Sequence, residues 1–99
     1  MIFNPAHPGE ILRDYLGEMS IAEAAARLGV TRAHLSRILN RRTGMSAQMS
    51  LRLSAALATS PEFWLKMQMQ YDLWQAQKAK RPRIHRFPQV PKANRLAVA

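Results

Sequence analysis

The stretch SIAEAAARLGVTRAHLSRILN, Ser20 to Asn40, leaves the chain little choice of fold. Two short segments of helical pattern meet at Gly29, and one residue, Val30, separates that glycine from Thr31, the next N-cap candidate. The first segment opens on Ser20, whose spacing to Glu23 is that of a capping box, in which hydroxyl and carboxylate each satisfy an exposed backbone N–H. Its interior, AEAAARL, has high helix propensity. Gly29 ends it because glycine takes the left-handed cap without a Cβ penalty. In the second segment Leu35, Ile38 and Leu39 turn to one side. Ala25, four residues before the glycine, leaves room where the helices cross. Two helices joined this tightly, with small residues at their crossing, describe a helix-turn-helix.

The flanking segments are helical as well. PGEILRDYL, residues 8–16, places Ile11, Leu12, Tyr15 and Leu16 on one face, with Pro8 at the first helical position and Gly17 as a stop. After a loop, RRTGM, Ser46 caps a fourth helix whose apolar positions are Met49, Leu51, Leu53, Ala56 and Leu57. Ser60 and Pro61 start a fifth helix, over 61–77, with Trp64, Met67, Tyr71 and Trp74 spaced by 3, 4 and 3. No strand pattern and no internal repeat occurs. Residues 78–99 contain three prolines and no acids and read as an extended basic tail. The expected architecture is therefore all-α: a five-helix domain over 1–77, with the helix-turn-helix at about 20–40, followed by the tail.

Charge limits the function classes. The net charge is +9, but residues 1–77 hold 8 Lys and Arg against 6 Asp and Glu, whereas 78–99 hold 7 and 0. The high isoelectric point alone therefore says little about the folded part, and the placement of the arginines decides. LGVTRAHLSRILNRR, Leu28 to Arg42, has four arginines and no carboxylate. A solvated helix usually mixes signs, so an unmixed face points to a negative partner. With Leu35 and Ile38 inward, Thr31, Arg32, Ala33, Ser36, Arg37 and Asn40 lie outward. In the DNA-binding form of the motif the second helix enters the major groove, where Arg32 and Arg37 would read guanine O6 and N7. Thr31 and Ser36 reach bases or phosphates, and Ala33 fits a thymine methyl. Asn40, Arg41 and Arg42 would clamp phosphate oxygens at the far end, and the amide-rich helix start at Ser20 and Ile21 offers another phosphate site.

The quoted segments HPGEIL, TSPEFWLKMQ and YDLW, together with IAEAAARLGVTRAHLSRILNRR, resemble the HigA/VapI-type antitoxins of the Xre, or lambda-repressor-like, family. The resemblance covers residues 7–77. It implies the five-helix repressor fold, a homodimer, binding to a palindromic operator upstream of the chain's own operon, and neutralisation of a RelE/HigB-like mRNA-cleaving toxin by direct binding. Two departures stand out. The group often has glycine after the asparagine that closes the third helix, where this chain has Arg41, and the linker GEM is short. The basic tail lies outside the family pattern.

Tyr71 and Trp74, at the end of the last helix, are the expected dimer seam, whereas Phe63, Trp64 and Met67 are expected in the core. His7 leads into the first helix, and His34 is read as a surface histidine. His7, His34 and His85 lack metal-ligand spacing, there are no cysteines, and no carboxylate pair, nucleophile motif or Gly-rich phosphate loop appears. Neither an enzyme, a metal site nor a cofactor is expected. No apolar run approaches the length of a membrane span and no secretory signal is visible, which fits a cytoplasmic protein. Two other readings stand beside the antitoxin: an Xre-type repressor without a toxin, and a protein- or RNA-binding module working through its tail.

Overall fold

The computed structural model describes residues 4–89 and is all-α there. Its helices are α1 (Pro8–Leu16), α2 (Ile21–Leu28), α3 (Arg32–Leu39), α4 (Ala47–Leu57) and α5 (Pro61–Lys78). None is long and apolar enough to cross a membrane. Beyond Lys78 the described residues 79–89 contain no helix or strand, only a turn at 88–89, and the call of an extended tail over 90–99 lies outside the described residues.

Each helix starts on a side chain that accepts a backbone N–H. Ser20, Thr31, Ser46 and Ser60 accept from Glu23, His34, Met49 and Phe63 at 3.0–3.1 Å. Each such cap stabilises by about 1 kcal/mol. The box expected at Ser20 is only half formed. Glu23 does not reach back to the Ser20 N–H; it pairs with Arg27 one turn on, at 2.9 Å. The complete capping box is at α1. There His7 Nδ1 accepts from the Gly9 N–H at 2.9 Å, and Glu10 Oε1 accepts from the His7 N–H at 3.2 Å.

The core is formed by Leu12, Ala24, Ala25, Leu28, Leu35, Ile38, Leu39, Met45, Met49, Leu53 and Trp64. Full burial of a Leu, Ile or Met side chain contributes about 1.5–3 kcal/mol. The helix-turn-helix is held from both sides, because α1 packs on α3 and α4 on α2, while α5 lies across α4 and α1. Gly29, at φ +73°, ends α2 in the left-handed conformation as expected. Gly9 matters for a different reason: a Cβ there would strike the carbonyl oxygen of Ile38, so α1 meets α3 backbone to backbone. Trp64 is fully buried and its Nε1 donates to Thr59 Oγ1 at 2.8 Å.

Four apolar positions expected to face inward are corrected: Tyr15 and Ala56 are exposed, as are Leu51 and Phe63. Leu51 is 59% exposed, because Met49 and Leu53 take the inward side of α4. Phe63 stays at the surface, its ring edge-on to Trp64 at 5.0 Å as an outer layer over it.

His7 is more than a lead-in residue. It is 3% exposed, with the Tyr71 ring edge-on at 4.9 Å. Burial lowers its pKa below the ordinary 6.5, and Arg41 lowers it further while Glu10 and Asp72 pull it up. A protonated Nδ1 could not accept the Gly9 N–H. The unfolded chain therefore takes up a proton near pH 6.5 that the native chain resists, so stability is level above that pH and falls below it. Thermal melts at pH 7.5 and 5.5 should show a lower midpoint at 5.5. In His7→Asn, which retains a capping side chain without a titration, the difference should shrink; an undiminished difference would exclude His7 as the source.

Candidate nucleic-acid interface

The inner side of α3 is fixed by Leu35, Ile38 and Leu39, each at most 3% exposed. Its 3.6-residue period then leaves Thr31, Arg32, Ala33, Arg37 and Asn40 exposed and Ser36 half-exposed. Ile21, Arg32, Ala33 and Ser36 line one shallow concavity, which brings the start of α2 onto the same surface as α3. Ser20 is exposed beside it. The structure thus gathers the α2 start and the forward part of α3 into one patch. His34 is half-buried on its flank.

The α3 part of the patch is one-signed, and of the acids beside the α2 start, Glu18 and Glu23, the latter is paired with Arg27. From Ala24 to Pro61 the sequence has arginines at 27, 32, 37, 41, 42 and 52 and no carboxylate. Among the described residues, Arg27 and Arg41 form ion pairs, while Arg32, Arg37 and Arg42 form none. Uncommitted guanidinium groups present planar forks of N–H donors suited to anion oxygens or to the acceptor edge of a purine. The Thr31 hydroxyl accepts from the His34 N–H at 3.0 Å, which leaves its own proton to donate outward. Ser36 Oγ accepts from Asn40 Nδ2 at 3.2 Å.

The far end of α3 is more committed than the sequence suggested. Asn40 uses both ends of its amide internally, since Arg13 Nη2 donates to its Oδ1 at 3.4 Å as well as to the Leu39 carbonyl at 3.3 Å. Arg41 reaches Glu10 on α1 at 3.4 Å, so only Arg42 of this trio has an uncommitted side chain among the described residues. Arg41 also has a positive φ of 59°, a conformation that favours glycine. A glycine, which the resemblance leads one to expect after Asn40, would take this conformation without a Cβ penalty.

Sequence reasoning missed the residues that hold this surface in place. Arg52 of α4 donates to the Leu28 carbonyl at 2.9 Å and to that of Gly29 at 3.5 Å, closing the end of α2 as Arg13 closes the end of α3. Gln68 of α5 accepts the Met45 N–H at 2.7 Å and so ties down the loop that follows α3. These partners are 23 to 26 residues apart, and no local pattern announces them.

Tyr71 and Trp74 are half-buried within this chain. Tyr71 meets His7, Trp74 lies under Lys78, and both line a cleft with Asn4, Pro5 and Glu10. The more open apolar stripe on α5 is Leu65, Met69 and Leu73, at i, i+4 and i+8, with 37%, 54% and 54% of each exposed.

A family profile described as helix-turn-helix matches residues 10–64. Virulence-associated protein A' of Dichelobacter nodosus is 51% identical over 76 residues, covering 73% of this chain and 65% of that relative, so the match spans just under two-thirds of its length. An addiction module antidote protein of the HigA family from Coxiella burnetii superposes with a TM-score of 0.74 at 39% identity, covering 77% of this chain and 86% of that one. The Pseudomonas aeruginosa antitoxin HigA, solved with the higBA promoter, superposes with a TM-score of 0.70 at 40% identity over 73% of this chain and 82% of that one.

The left-handed Arg41 has a measurable consequence. Arg→Gly inside a helix costs about 1 kcal/mol, as Arg37→Gly should. Arg41→Gly removes the backbone penalty and one exposed ion pair, and pairs of that kind contribute about 0–1 kcal/mol. Urea titration should therefore find Arg41→Gly as stable as the parent or more so, and Arg37→Gly less stable. Equal losses in both would contradict the strain at Arg41.

Proposed function

The chain belongs to the Xre helix-turn-helix family, in its HigA/VapI-type branch, and from that premise we propose that it is a DNA-binding antitoxin that represses its own operon. The observation that carries the DNA part is the outer face of α3. Arg32 and Arg37 stand there without ion-pair partners among the described residues, on a helix clamped from behind, in a stretch of 38 residues, 24–61, that has no acid. The superposition on an antitoxin solved with its promoter supports the same reading. Family membership places the chain among DNA-binding proteins rather than enzymes.

Arg32 and Arg37 are the base readers, each able to address guanine O6 and N7 together. Thr31, Ala33 and Ser36 complete the reading face. Arg42, the exposed amides near Ser20 and Arg41, once drawn from Glu10, contact phosphate. Asn40 contributes mainly by ordering Ser36 and receiving Arg13.

The protein works as a homodimer. Leu65, Met69 and Leu73 supply the open apolar stripe for a second copy, while Tyr71 and Trp74, on another face of α5, offer their half-exposed rings as a further contact. Two-fold symmetry then requires a palindromic site with its halves roughly 34 Å, one DNA turn, apart. The toxin neutralised by direct binding is of the RelE/HigB type, and the protein acts in the cytoplasm.

Arg37→Ala should weaken binding to the duplex upstream of the gene by about 1–3 kcal/mol and relax selection at one base position. Unchanged affinity and selectivity in both Arg32→Ala and Arg37→Ala would show that α3 is not the reader. Co-expression with the adjacent small reading frame tests the antitoxin part. Co-elution as a stoichiometric complex, with growth arrest when the neighbour is expressed alone, is the expected result. Separate elution without toxicity would leave a repressor that has no toxin.

A further inference from the structure

The strongest concentration of charge outside the α3 surface begins at the last residue of α5. Lys78, Lys80, Arg81, Arg83 and Arg86 follow one another with no carboxylate after Asp72. Residues 79–89 are all exposed. Pro82 cannot continue a helix and biases its predecessor toward extended backbone. At about 3.3 Å per residue the stretch from Lys78 to Arg86 reaches roughly 25 Å. A compact anion would use one or two of these charges. A polyanion uses them all.

Where the stretch starts indicates which polyanion. Lys78 lines the same cleft as Glu10 and Arg41, the residue just beyond the end of α3. Its Nζ lies 3.8 Å from the centre of the Trp74 ring, so the first cation is held against the fold. The chain therefore leaves the domain on the edge that carries the closing loop of α3, where Glu10, the one acid lining the cleft, is already paired with Arg41 at 3.4 Å, and no acid follows along the stretch itself.

We propose that residues 78–86 form a second DNA-contacting arm, which lies along backbone phosphates beside the site addressed by α3 and adds affinity without reading sequence. This rests on the DNA-binding reading of α3 and deepens it. The residue types fit. Five cations supply the charge, and residues 80–86 belong to no helix or strand that would hold them in register with base edges, as α3 holds Arg32 and Arg37. Duplex DNA offers a negative charge about every 1.7 Å of its axis, so it can engage cations at irregular spacing. Each phosphate neutralised adds about 0.9 to the steepness with which affinity falls with salt.

The test is the full chain carrying Lys80→Gln, Arg81→Gln, Arg83→Gln and Arg86→Gln together, compared with the parent. Binding is measured from 50 to 200 mM salt to the duplex upstream of the gene and to an unrelated duplex of equal length. All four positions are exposed, and an unchanged thermal midpoint confirms an intact fold. The slope of log affinity against log salt should flatten by about 2–4 per protomer on both duplexes, with their affinity ratio preserved. For a change of about 3.6, the affinity lost across that salt range shrinks by about 150-fold. A change below about 2, or a collapse of the ratio, would overturn the arm. An unchanged slope with loss of a co-eluting protein partner would assign the stretch to that partner and overturn it equally. If the parent does not prefer the upstream duplex, the α3 reading fails instead; the slope on the unrelated duplex still judges the arm.

Discussion

Two helices come into backbone contact only where one of them lacks a side chain, and Gly9 provides that place against the Ile38 carbonyl. The organisation of the proposed reading surface depends on this approach. It sets the first turn of α1 on the last turn of α3, which brings Arg13 within reach of the Leu39 carbonyl and Glu10 within reach of Arg41. Leu35 and Ile38 are fully buried behind it. A helix fixed on its inner side has no freedom to roll, so the outward direction of Arg32 and Arg37 follows from packing before any charge is considered.

The arginines of the five-helix domain, residues 1–77, divide between two kinds of work, and reach decides which. The carbonyl ends of α2 and α3 carry the partial negative charge of the helix dipole, and each receives a guanidinium from another helix, Arg52 and Arg13 respectively. Those two are bound inward. Arg27 is neutralised by Glu23 a turn earlier. Arg32, Arg37 and Arg42 remain without such partners among the described residues, all on or just beyond α3. The one-signed patch therefore does not reflect a generally basic domain. It is what remains after structural needs have been met elsewhere.

The local features of the fold were legible in the sequence. Ser20, Thr31, Ser46 and Ser60 could be recognised as caps, and Gly29 as a left-handed stop, because those requirements fall within a few residues of chain. The spacing of Leu35, Ile38 and Leu39 correctly gave the inner side of α3. Misreadings arose where a competitor or a distant element intervened. Glu23 has a capping-box spacing, but Arg27 takes it. His7 is a capping residue that few rules favour, and its role depends on burial beneath Tyr71, 64 positions away. Leu51 and Phe63 are apolar residues in helices whose inward sides were already occupied. The family pattern pointed to the position after Asn40, but only φ at Arg41 shows what a glycine would do there.

Helices α2 and α3 are eight residues each, well short of the roughly 12–15 at which an isolated helix becomes even marginal in water. Neither persists alone, and the cations closing their ends come from α1 and α4. The reading face is therefore a property of the whole assembled domain rather than of the motif that displays it. Local opening of α1 or α4 removes the surface along with its support, so the fraction of chains competent to bind tracks the fraction fully folded.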